Sequence, residues 1–147
     1  MRKMLFVLFF FCACTATAQK KINAMLPTRV EYIEFKESAG EPGTFYFAIG
    51  LQTTNYFEKA IRVGHGYVAV CMRNTGEMLF ETAGFVSTLK PRASHTIATN
   101  ENYIPGDPVH ERFKKLKPED VIPIWTSINI VFDDNTMYRW NARVNGF

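Results

Sequence analysis

The stretch Ile128-Asn129-Ile130-Val131-Phe132-Asp133-Asp134-Asn135-Thr136-Met137-Tyr138-Arg139-Trp140-Asn141-Ala142-Arg143-Val144 decides the fold. Ile128, Ile130 and Phe132 share one parity, and Asn129 and Val131 take the other. Asp133 to Thr136 then interrupts the pattern with residues whose short polar side chains bond nearby backbone and so favour turns. Tyr138, Trp140, Ala142 and Val144 resume it, alternating with Arg139, Asn141 and Arg143. A period of two sends successive side chains to opposite faces of a strand. The segment reads as a β-hairpin whose second strand has one dry and one wet face, as antiparallel sheets commonly have.

The same period runs upstream. In Thr44 to Leu51, Phe45, Phe47, Ile49 and Leu51 share a face, with Tyr46, Ala48 and Gly50 opposite. Ser38 to Gly43 is a turn cluster, so Val30 to Lys36 is predicted as the partner strand of a first hairpin. Ala60 to Met72 alternates as well. Gly64 and Gly66 flank His65 there and predict a bulge or a break. Asn74-Thr75-Gly76 turns the chain, and Glu77 to Val86 returns as a strand. Lys90-Pro91-Arg92-Ala93 is another turn, leading to a short strand from Ser94 to Thr99.

Asn100 to Asp107 is irregular, and one helix follows it. Asp107 is a suitable N-cap, because its carboxylate can accept from an orphan amide. Pro108 at the first helical position loses nothing, because its missing N–H would be unpaired anyway. Val109, Phe113 and Leu116 form an apolar stripe at helical spacing. Lys114, Lys115 and Lys117 fall where the helix dipole favours cations, and Pro118 ends the run. No strand-helix-strand unit occurs, which argues against a parallel α/β sheet. The expectation is an all-β antiparallel β-sandwich of seven or eight strands, immunoglobulin-like order being one form of it. One short α-helix is inserted between late strands, over 100–123. A small closed barrel is the alternative.

The chain start predicts export. Arg2 and Lys3 precede an apolar run of ten residues, Leu5 to Cys14, and Ala16-Thr17-Ala18 offers small residues to a signal peptidase. About 20 apolar residues are needed to span hydrocarbon, so this run is too short for an anchor. Residues 1–18 are read as a signal peptide, 19–28 as a flexible lead and 29–147 as a single domain. The destination is periplasmic or secreted. Cys14 as a lipidation site is the alternative to cleavage at Ala18, and only then would the protein meet a membrane.

The 147 residues carry a net charge of +3 and are 47% apolar, which excludes a disordered chain. Residues 1–18 hold two of the bases and no acid, so the remainder has 15 Lys+Arg against 14 Asp+Glu, a net +1. Nucleic acid is therefore not an expected partner. Of the three cysteines, only Cys71 lies outside the signal, and its apolar neighbours predict a buried thiol rather than a nucleophile. His65, His95 and His110 lack the close spacing of a local metal site, and no serine sits in a Gly-x-Ser-x-Gly elbow. No metal or cofactor is implied. The acids of Asp133-Asp134-Asn135 lack the spacing of a calcium loop. Tyr56, Phe57, Tyr103 and Trp125 are read as aromatics of strand ends or loops, the usual contact residues on a sandwich rim. The leading expectation is a non-catalytic module that binds an envelope or extracellular protein. Glycan binding is the alternative, and a hydrolase using two converging histidines stands below it.

Overall fold

The structure, a computed structural model, describes residues 21–142. Within them the alternating segments pair as two antiparallel sheets. Strands β1 (Thr28–Glu37), β2 (Phe45–Thr54) and β5 (Ser94–Asn102) form one sheet in the order β1-β2-β5. Strands β3 (Ile61–Met72), β4 (Met78–Leu89), β6 (Val121–Phe132) and β7 (Met137–Asn141) form the other in the order β4-β3-β6-β7. All neighbours run antiparallel. The protein is an all-β sandwich. An immunoglobulin constant domain places its fourth strand beside the fifth. Here β4 pairs with β3 instead, so the second sheet has four strands.

The dry faces meet as the alternation requires. Phe47, Ile49 and Leu51 of β2 pack with Val68 and Val70 of β3 and with Ile128 and Ile130 of β6, all fully buried. Burial of such side chains supplies roughly 1.5–3 kcal/mol each, which is how the sandwich stands with no disulfide among the described residues. In the final hairpin Trp140 and Ala142 are buried and Tyr138 half-buried, as the pattern predicts. Residues 1–18 with Cys14, and Arg143 and Val144, lie outside the described residues.

Three expectations need correction. Residues 21–25, within the stretch read as a flexible lead, form a helical turn, α1. Ile22 and Leu26 are fully buried, and Leu26 N–H donates to the Ile22 carbonyl at 2.8 Å. A single turn has only two inward positions four apart, too few to show a period. Strand β5 runs three residues beyond Thr99, because edge pairing with β2 engages the backbone of Asn100 to Asn102 whatever their side chains. Helix α2 spans only Pro108–Phe113, with Asp107 Oδ1 accepting from the Val109 and His110 N–H groups at 2.9 and 3.0 Å. Phe113 points into the core, with Val109 and Leu116 half-buried beside it.

Strand β3 does not break at its glycines. It is continuous, and Gly66 lets β6 come close: a Cβ there would stand 2.0 Å from the Ser127 carbonyl oxygen. The β3–β6 register then slips between Tyr67 and Val68, leaving Thr126 as an extra residue between Ser127 and Trp125. Among the described residues, no helix is long and apolar enough to cross a membrane.

Candidate functional site

The antiparallel register sorts the four candidate aromatics to different places. β2 ends at Thr54 beside Ser94, so Tyr56 and Phe57 lie at one end of the sandwich. Tyr103 follows Asn102, which pairs with Tyr46 at the other end. Tyr56 is 41% exposed and stacks under Arg92, whose guanidinium carbon lies 4.9 Å from the ring centre. Phe57 packs inward, with ring centres 5.2 Å from Phe132 and 5.5 Å from Tyr138. Trp125 is neither at a strand end nor in a loop. It lies within β6, is 0% exposed, and donates from Nε1 to Thr28 Oγ1 at 3.0 Å. Its burial takes Trp125 out of the set of exposed aromatics.

Around Tyr103 the β5–β6 connection is built into a small ordered site. The Tyr103 ring stands edge-on to Phe35 and Phe47, with centres 5.0 and 5.9 Å away. Its hydroxyl donates to Glu111 Oε1. That bond to a carboxylate, with burial second, holds the Tyr103 hydroxyl above its ordinary range. The same bond, opposed by burial, holds Glu111 below the usual carboxylate range. Donor protonated and acceptor ionised are thus mutually reinforced. Lys114 Nζ lies 4.2 Å from the Phe35 ring centre and 5.2 Å from that of Tyr103, a cation over two aromatic faces. Arg112 grips Glu77 through both carboxylate oxygens at 3.0 and 2.7 Å, tying α2 to the β3–β4 turn.

The residue that sequence reading missed is Ile104. It is 57% exposed, yet its backbone is held: its N–H donates to His110 Nδ1 at 3.0 Å, and its carbonyl accepts from Asp107 N–H at 3.2 Å. His110 is buried, three residues before the inward Phe113 on α2, and its Nε2 lies 4.0 Å from Glu101 Oε1. The signal for its burial was present. With Asp107 as N-cap, helical spacing places His110 and Phe113 on one face.

The other titratable candidates do not join this site. His65 and His95 are exposed, on β3 and on β5 beside Thr53. Of the three histidines only His110 has a carboxylate within 4.0 Å among the described residues. Cys71 is buried, and burial pushes its thiol up, opposite to what a nucleophilic cysteine requires. No group of three or more His, Cys, Asp or Glu among the described residues could hold a metal. The acidic β6–β7 turn is occupied by cationic side chains: Lys59 Nζ meets Asp134 Oδ2 at 2.6 Å, and Arg62 donates to Asn135 Oδ1 at 2.7 Å.

No protein-family model and no curated protein matches the chain. Among solved structures, Northeast Structural Genomics Consortium target SoR45 superposes with a TM-score of 0.43 at 15% identity, over 80% of this chain and 82% of that one.

Proposed function

We propose that the protein is exported and acts as a non-catalytic interaction module, contacting an envelope or extracellular protein through residues 103–107 and the adjoining face of α2. The observation that carries the reading is Ile104. A large aliphatic side chain is held out to solvent on a short loop whose backbone is bonded at both its N–H and its carbonyl. An apolar anchor already ordered before binding loses little entropy on association, which is what makes a contact residue effective. Lys114 and Lys115, both exposed at the C-terminal end of α2, add positive charge that would favour an acidic rim on the partner.

The export half rests on residues 1–18. Intact mass of the protein from the envelope fraction tests it. An N-terminus at Gln19 supports cleavage after Ala18. A diacylglycerol adduct on Cys14 would replace release with tethering. The contact half is tested by crosslinking in envelope extract. Ile104→Asp should weaken capture of a specific protein by at least about tenfold, as truncation of a central anchor does. Tyr56→Ala, at the opposite end, should leave capture unchanged. Equal effects of the two variants, or none from either, would count against this surface.

A further inference from the structure

We infer that His110 is a pH-sensitive latch, and that its protonation frees the Ile104 amide. The inference rests on which atoms of one ring are engaged, and it holds with or without a partner.

An imidazole nitrogen accepts a hydrogen bond only when it carries no proton. His110 Nδ1 accepts the Ile104 N–H at 3.0 Å. The ring is therefore neutral, with its single proton on Nε2. Nε2 points toward Glu101 Oε1 at 4.0 Å. A second proton has only Nδ1 to occupy. Imidazolium has two donors and no acceptor, so Nδ1–H would then face the Ile104 N–H, donor against donor. The bond cannot survive, and the amide has to seek water or another acceptor.

The groups around the ring divide between the two states. Glu101, from β5, is the carboxyl nearest an imidazolium; burial pushes it up, which favours its neutral acid form and works against ion pairing. Ile104, from the loop, is placed to bind only the neutral ring. Asp107 is committed to the Val109 and His110 backbone N–H groups. Glu111 accepts from the Tyr103 hydroxyl and from Gly106 N–H, and Lys114 lies over the Tyr103 ring, whose centre is 6.3 Å from that of His110. β2 presents the Phe47 ring, 6.0 Å away. The adjoining ties, Tyr103 N–H to Phe45 O at 3.0 Å and the Asp107 cap, do not involve the ring. The Ile104 carbonyl still accepts from Asp107 N–H at 3.2 Å and Gly106 N–H still bonds the Glu111 carboxylate, so the change is confined to the Ile104 amide and its side chain, while α2 and β5 stay in place.

The test is a pH titration of uniformly 15N-labelled full-length protein by NMR. At about pH 7.5 the His110 ring should show the Nε2–H pattern, with Nδ1 unprotonated. As pH is lowered from there, the Ile104 amide shift should follow the His110 ring shifts with one shared midpoint. His110→Asn supplies the control, because its Oδ1 can accept from Ile104 without titrating. The ratio of Ile104 amide exchange in wild type to that in H110N should rise about tenfold across this range, the size expected for one lost hydrogen bond. Taking the ratio at each pH cancels the intrinsic pH dependence of exchange. If H110N does not fold, the wild-type titration alone decides. A proton on Nδ1 at neutral pH, a ring that stays neutral until the protein unfolds in acid, or an Ile104 amide that ignores the ring's titration would each overturn the latch.

Discussion

The six-membered edge of the Trp125 indole lies against the place where Gly84 would carry a side chain. A Cβ on Gly84 would stand 2.7 Å from Cη2 and 2.8 Å from Cζ3 of Trp125. Val68 Cγ2, from β3, lies 3.0 Å from the same point. Gly84→Ala therefore overpacks the core and should cost about 1–3 kcal/mol in chemical denaturation. Trp125→Leu makes a cavity by itself, but it also makes room for the methyl group that Gly84→Ala adds. The double variant should be more stable than the sum of the two single losses predicts. Strict additivity would show that the two positions do not compete for one space.

A second contrast lies along β3. At Gly66 an added Cβ meets backbone, the Ser127 oxygen at 2.0 Å; at Gly64 the nearest atom is a flexible Ile130 carbon at 3.6 Å. Gly66→Ala should force β3 and β6 apart and lose several kcal/mol or fail to fold. Gly64→Ala should lie within about 1 kcal/mol of wild type. Thermal melts of the pair check this. Similar losses at both positions would remove the close approach as the reason for Gly66.

The helical turn α1 is part of the core. Ile22→Ala and Leu26→Ala should each cost about 2–5 kcal/mol, as buried aliphatic truncations do. A loose N-terminal lead would instead give changes within about 0.5 kcal/mol. Urea unfolding of the two variants separates these outcomes.

The β6–β7 turn carries a pH signature. The Lys59 ammonium first, with Thr136 beside it, holds the Asp134 carboxyl well below its ordinary 3.8. A carboxyl depressed in the fold binds fewer protons there than in the unfolded chain. Its stabilising effect is therefore present at neutral pH and is lost as pH falls below 3.8 toward the folded value. The melting temperature of Asp134→Asn should be lower than wild type at pH 7, with the gap narrowing below about pH 4 and in high salt. Because Lys59 and Asp134 are both about half-exposed, at 50% and 48%, the gap should be small. A gap that widens in acid would contradict the assigned pairing.

Much of the fold was legible because it is written locally. Alternation across two residues specifies a strand face, and Phe47, Ile49 and Leu51 went where that alternation put them. Asp107 and Pro108 start α2 through contacts within three residues, so that helix start was legible too. The site was legible only in part. Tyr103 was singled out, but Ile104 and His110 acquire their meaning from a bond between a loop amide and a helix side chain, which no local pattern records.

Trp125 marks the boundary between the two kinds of information. Its odd number sets it out of step with Ile128 and Ile130, so simple alternation turns it outward. The extra residue Thr126 reverses the parity, and the ring goes in. The sequence by itself determined antiparallel strands with their turns and the capped start of α2, because those depend on neighbours along the chain. The tertiary structure alone decided which aromatics are buried, which end of the sandwich each one occupies, and that His110 holds Ile104. Those outcomes depend on strand register and on backbone approach, both set by residues dozens of positions apart.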